Sequence, residues 1–168
     1  MGILLLFVGL RQIPFLTKCE FLTLFLLLKI NHKNLIEMGI LFSTDTVRSL
    51  NKRQKLAMLT VVKSISDNAT DSTKRLNQQK IFTKYLSIFE LNDIAMSNYE
   101  QHLLRIDLRS LNPNQRDYFI VMGHELLGAI QDRRLEDYNI LFEAFQSYGN
   151  ISSSEFSGTI ERLRGNSY

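Results

Sequence analysis

From Asn51 onward the apolar residues recur every three or four positions, the spacing of one helix face rather than the alternation of a strand. The pattern predicts a first helix over about Asn51–Ser66, with Leu56, Leu59, Val62 and Ile65 as its stripe and Met58 and Val61 widening it. After the polar break at 67–72, a second helix is predicted over about Thr73–Glu90. Phe82, Tyr85, Leu86 and Phe89 stand there at i, i+3, i+4 and i+7. A third starts near Ser97, where Ser97 and Glu100 match a capping box, and Leu103, Leu104 and Ile106 follow. The fourth has the clearest start: Asn112 as N-cap, Pro113 in the first helical position and Gln115 at N3. Its stripe is Phe119, Met122, Leu126 and Ile130. The fifth covers about Leu135–Tyr148 with Tyr138, Leu141, Phe142 and Phe145 inward, and Gly149-Asn150 ends it. A sixth opens at Ser152, with Glu155 completing a capping box and Ile151 stapled to Phe156; Ile160 and Leu163 continue its buried side.

Strand signals are weak, with two prolines, eight glycines and no Asn-Gly or Asp-Gly turn. The fold expected is all-α: a compact bundle of about six helices with short connections and an internal two-fold repeat. At roughly 100–200 residues per domain, 168 residues allow one such body. The aromatics at 82, 85, 89, 119, 138, 142, 145 and 156 are read as core rather than as a cofactor box.

Composition divides the chain. Residues 1–30 hold 20 apolar residues and only four charges, Arg11, Lys18, Glu20 and Lys29. Their uncharged runs, Gly2–Leu10 and Phe21–Leu28, fall short of the roughly 20 residues a membrane-spanning helix needs. Met38-Gly39-Ile40-Leu41 reads as an ordinary protein start, so residues 1–37 are a mis-assigned start, a membrane-associating leader or a helix packed against the body, and 38–168 are one helical domain. These alternatives predict a cytoplasmic protein or one held on the cytoplasmic side of the inner membrane.

The net charge of +3 lies mostly in the leader, which leaves the body with 16 basic and 15 acidic groups. No broad basic face for nucleic acid is predicted, since the one dense cluster is Lys52, Arg53 and Lys55. Cys19 is the only cysteine, so an intramolecular disulfide and a thiolate metal cluster are excluded.

Two stretches echo each other at an offset of 65. Val61-Val62-x-x-Ile65-x-Asp67 matches Leu126-Leu127-x-x-Ile130-x-Asp132, and each leads through a polar turn into a helix rich in Phe and Tyr. This order, with Ile65-Ser66-Asp67, Ile130-Gln131-Asp132 and Ile151-Ser152, resembles the tellurite-resistance TerB-like helical domain over about Leu50–Arg164. The resemblance implies a helical module of stress-linked or envelope-associated systems, with acidic turns associated with metal binding. Relatives also occur in membrane-anchored J-domain co-chaperones. The chain departs from the family's pattern at the turns. Asn68 and Arg133 stand where Gly is typical, and Lys74 and Asn139 where Glu is typical.

No catalytic constellation emerges. His124-Glu125 begins a zinc-helix motif, but Gly128 stands where its second histidine belongs. The function expected is therefore a non-enzymatic protein-interaction module with a protein partner and no cofactor. The rival is a divalent-cation site on Asp67, Asp71, Asp132, Glu136 and Asp137. Acids at helix N-termini also favour the dipole without any ligand. Gly123 and Gly128, inside the fourth helix, mark a place for close helix approach.

Overall fold

A computed structural model of the chain describes residues 44–69, 71–92, 96 and 99–165. The leader 1–37, the Met38 start and the Ser97 cap lie outside the described residues. Seven α-helices have both bounds among the described residues: α1 Thr44–Ser49, α2 Lys52–Asp67, α3 Ser72–Ile88, α4 Leu104–Arg109, α5 Pro113–Gly128, α6 Leu135–Ala144 and α7 Ser153–Gly165. A 3₁₀ turn over Gln101–Leu103 leads into α4, and a π turn over Phe145–Gly149 prolongs α6. The described residues contain no strand. The all-α bundle thus matches the helical period, with α1 added to the six expected helices. At six residues α1 carries no apolar stripe, so periodicity could not announce it.

The helix starts explain the bundle's register. Asn51 caps α2: its Oδ1 accepts from the Gln54 N–H at 2.9 Å, while Gln54 Oε1 accepts from the Asn51 N–H at 3.1 Å. Asn112 and Gln115 repeat this box at α5, both at 3.0 Å. Each glutamine then uses its amide on the other box's flank. Gln54 Nε2 donates to Ser110 Oγ at 3.1 Å, and Gln115 Nε2 donates to Ser49 Oγ at 3.0 Å and to the Ser49 carbonyl at 3.1 Å. The two helices are 16 residues each and begin 61 positions apart. In sequence the match is Arg48-Ser49-Leu50-Asn51-x-x-Gln54 with Arg109-Ser110-Leu111-Asn112-x-x-Gln115. The cap repeat therefore runs at an offset of 61 rather than 65. At 65, Asp67 ends α2 but Asp132 lies beyond α5, in the connection to α6.

The expected stripes of α2 and α5 are all buried. In α4 the inward face is Leu104, Asp107 and Leu108, while Ile106 is 61% exposed. The helix starts only at Leu104, and i, i+3 and i+4 from there place Ile106 on the far side. The fifth predicted helix also changes character, since α6 stops at Ala144 and the chain widens into the π turn. That turn lays Phe145 on Gly123. The Phe145 ring stacks on Phe119 with centroids 4.3 Å apart and meets Phe156 edge-on at 5.5 Å. A Cβ on Gly123 would stand 2.5 Å from Phe145 Cζ. The close approach expected at Gly123 is thus made by an aromatic ring of the π turn. Asn150, at φ 53°, supplies the left-handed residue that ends the turn.

Ser152 caps α7 by accepting the Glu155 N–H at 3.1 Å. The Glu155 carboxylate is taken by Arg116 of α5 in a two-pronged pair, and Arg116 also donates to the Gly149 and Asn150 carbonyls. One guanidinium therefore ties α5 to the exit of the π turn and the start of α7.

Candidate functional site

The structure distributes the charges unevenly. Residues 51–88 hold eight Lys/Arg and two Asp/Glu, and residues 89–168 hold 12 acids, seven arginines and no lysine. Three acids of the second half are almost fully buried, with side chains 8% (Asp107), 5% (Asp137) and 9% (Glu125) exposed. Each meets a cation of the α2–α3 pair. Arg53 reaches Asp107 at 2.9 Å, Lys74 reaches Asp137 at 2.7 Å and Lys84 reaches Glu125 at 2.7 Å. A buried carboxylate is costly without a partner, so these contacts fix how α2 and α3 sit on the remaining helices.

Tyrosines complete two of the pairs. The Tyr99 hydroxyl donates to Asp107 Oδ2 at 2.7 Å. Its burial first, and then that bond, raise its pKa above the ordinary phenol value. Tyr85 lies beside Glu125 and meets Tyr118 edge-on at 6.0 Å. Burial, followed by the Glu125 charge, raises the pKa of both hydroxyls and holds them protonated.

The five residues read as a cation site divide. Asp67 is exposed and pairs with Lys63 at 2.5 Å. Asp71 caps α3, accepting the Thr73 and Lys74 N–H groups at 2.7 and 3.1 Å, and these bonds lower its pKa. Asp132 is exposed in the α5–α6 connection, and Glu136 is exposed in the first turn of α6. Asp137 is buried, holding Lys74 with both oxygens and the Arg134 N–H at 2.7 Å. Lys74 thus links the two turns: its N–H goes to Asp71 and its ammonium to Asp137. Asp67, Asp132 and Glu136 do not join them. Among the described residues, no three His, Cys, Asp or Glu are grouped so as to hold a metal ion. His102 is exposed, while His124 is buried on α5 against the Phe156 ring.

A second feature lies between α2 and α3. A cavity of about 210 Å³ is lined by Lys63, Ser66 and Asp67 of α2 and by Gln79, Phe82 and Thr83 of α3. Ser66 is 1% exposed, and its hydroxyl has no hydrogen-bond partner. Phe82, expected in the core, is only half-buried and forms the cavity's apolar wall. The outer side of α3 beside it exposes Arg75, Leu76, Gln79, Lys80 and Thr83. Arg75 and Lys80 pair with no carboxylate among the described residues.

Sequence reasoning missed the three buried acid–cation pairs and the cavity. The signal for the pairs is the confinement of the body's lysines to residues 52–84. No helix among the described residues is long and apolar enough to cross a membrane. No family model, curated protein or solved structure matches the chain.

Proposed function

We propose that the chain is a non-enzymatic helical protein-interaction module whose contact face is the outer side of α3. The observation that carries this reading is α3 itself. It is 17 residues long, yet only Gln78, Tyr85 and Leu86 are buried within it. It contributes four cations and no acid, and it exposes 55% of Leu76 beside the α2–α3 cavity. Lys74 and Lys84 are spent on internal ion pairs, which leaves Lys80, and Arg75 whose guanidinium donates to the Ala69 carbonyl at 3.2 Å, with no carboxylate of their own among the described residues. The TerB-like reading enters only as a repeated helical scaffold for such a face, in a stress-linked or envelope-associated setting.

The divalent-cation reading has less support, because the ammonium of Lys74 already neutralises Asp137. The decisive experiment is site-specific photo-crosslinking in cells, with the reactive group at Leu76 of the full chain and a control at Glu161 on α7. A discrete adduct from α3 that disappears in Arg75→Glu/Lys80→Glu is expected. Equal or absent crosslinking from the α3 and α7 positions would remove the reading.

A further inference from the structure

The cavity between α2 and α3 has the features of an anchor pocket. At about 210 Å³ it lies below the roughly 300–1,000 Å³ of clefts that enclose a whole small molecule, so its size suits one large side chain. Its wall is the Phe82 ring, and Ser66, whose buried hydroxyl has no partner, is one of its lining residues. Lys63 and Asp67 at its edge neutralise each other, so the pocket itself favours no ionised anchor. An aromatic body with a polar tip satisfies both surfaces, because the ring packs on Phe82 and the tip gives Ser66 the bond it lacks. The surroundings are different in charge. The segment 51–88 carries eight cations against two acids, and Arg75 and Lys80 beside the pocket have no internal acid partner. Such a face steers and retains a negatively charged chain.

We propose that this groove binds an acidic segment of a protein partner, with one tyrosine of that segment seated in the pocket against Phe82 and Ser66. The inference rests on the interaction reading above and deepens it by naming the partner's chemistry. Short anchors are characteristic of interfaces in which a few pocketed aromatic residues carry most of the affinity.

The test uses the full chain, labelled with ¹⁵N, and three synthetic peptides capped at both ends. The first is Glu-Asp-Glu-Tyr-Glu-Asp-Glu, the second replaces its Tyr by Phe, and the third replaces its acids by Lys. Binding of the first peptide, with amide shifts centred on residues 63–67 and 79–83, is expected. The lysine peptide should cause no shifts there. Ser66→Ala removes a hydroxyl that bonds nothing in the protein, so stability should hold. It should weaken the Tyr peptide about fivefold, one net hydrogen bond, and leave the Phe peptide unchanged. Lys80→Glu should weaken both acidic peptides. Shifts that map elsewhere, equal response to the lysine peptide, or equal loss of Tyr and Phe peptides on Ser66→Ala would each overturn the proposal. A cell-derived partner crosslinked at Leu76 whose contact segment is basic would overturn it too, while leaving the interaction reading intact. Absence of both peptide shifts and crosslinks would remove the two together.

Discussion

Gly123→Ala adds a single carbon, and the structure says where it goes. The new Cβ would lie 2.5, 2.9 and 3.2 Å from three atoms of the Phe145 ring, against an ordinary contact of about 3.5–4.0 Å. The ring must therefore retreat by about 1 Å from its nearest atom. It has little room to do so, since Phe119 stacks on it at 4.3 Å with planes 10° apart and Phe156 closes a side at 5.5 Å. Phe145 is fully buried and belongs to the π turn, so displacing it also disturbs the backbone that carries Asn150 and the Arg116 contacts. Overpacking of this kind costs about 1–3 kcal/mol, and a ring held on two sides belongs in the upper half of that range. Replacing an interior helical glycine by alanine returns about 1 kcal/mol of helix propensity. The net loss is about 1–2 kcal/mol, a fall in Tm of roughly 4–8 °C for a body of this size. Urea unfolding followed by far-UV circular dichroism should show a lower midpoint at unchanged slope. Phe145→Leu alone should destabilise through the lost ring, but combined with Gly123→Ala it should cost less than the two losses added. Wild-type or higher stability for Gly123→Ala would refute the packing argument.

Three further outcomes follow from the polar contacts. Gln54→Ala and Gln115→Ala should each cost about 1–2 kcal/mol, for a cap bond and a cross-repeat bond lost from buried positions, and the losses should add in the double variant. Thermal melts showing that one glutamine matters and the other does not would deny the reciprocal role. Lys74→Met should cost about 3–5 kcal/mol by stranding the Asp137 carboxylate, whereas Lys74→Met/Asp137→Leu should recover most of it, less the α6 cap at Arg134 N–H. Denaturant titration of the pair would count against a buried ion pair if the double variant were as unstable as the single. Asp71→Ala should lower Tm near neutral pH. Because the folded pKa of Asp71 is lowered, its contribution is present above the ordinary carboxylate range and lost as pH falls through the folded value. The Tm gap between wild type and variant should therefore close in acid, and a gap that widened there would reverse the sign of the argument.

The helices were readable wherever apolar period and cap chemistry agreed. Asn112-Pro113-x-Gln115 names the α5 start in sequence and forms the full box in the structure, because a cap is a contact among residues three apart. The same logic was available at Asn51 and Gln54. What sequence spacing could not give is the crossing of the two boxes, Gln54 on Ser110 and Gln115 on Ser49, which exists only once α2 and α5 stand side by side. The repeated Arg-Ser-Leu-Asn-x-x-Gln is its trace in the chain. The candidate cation residues failed to gather for a related reason. Acids near helix starts look alike in sequence, but Asp71 turns back onto its own helix while Asp137 reaches Lys74 across the fold.

Phe82 marks the boundary between what periodicity can and cannot assign. It belongs to the same stripe as Tyr85, Leu86 and Phe89, and those three close on the core. A stripe is buried only where the facing helix offers apolar surface in return. Opposite Phe82 the last turn of α2 offers Ser66 and Asp67 instead, beside Lys63. The ring is left with one covered side, and the Ser66 hydroxyl is left with no acceptor or donor. Filling that gap from within the chain would have required only another apolar residue at 66 or 67. Ser66→Leu should therefore act as a cavity-filling change that holds or raises stability while removing the anchor pocket. If it instead destabilised the fold by several kcal/mol, the space beside Phe82 would be too small for the side chain the pocket is argued to accept.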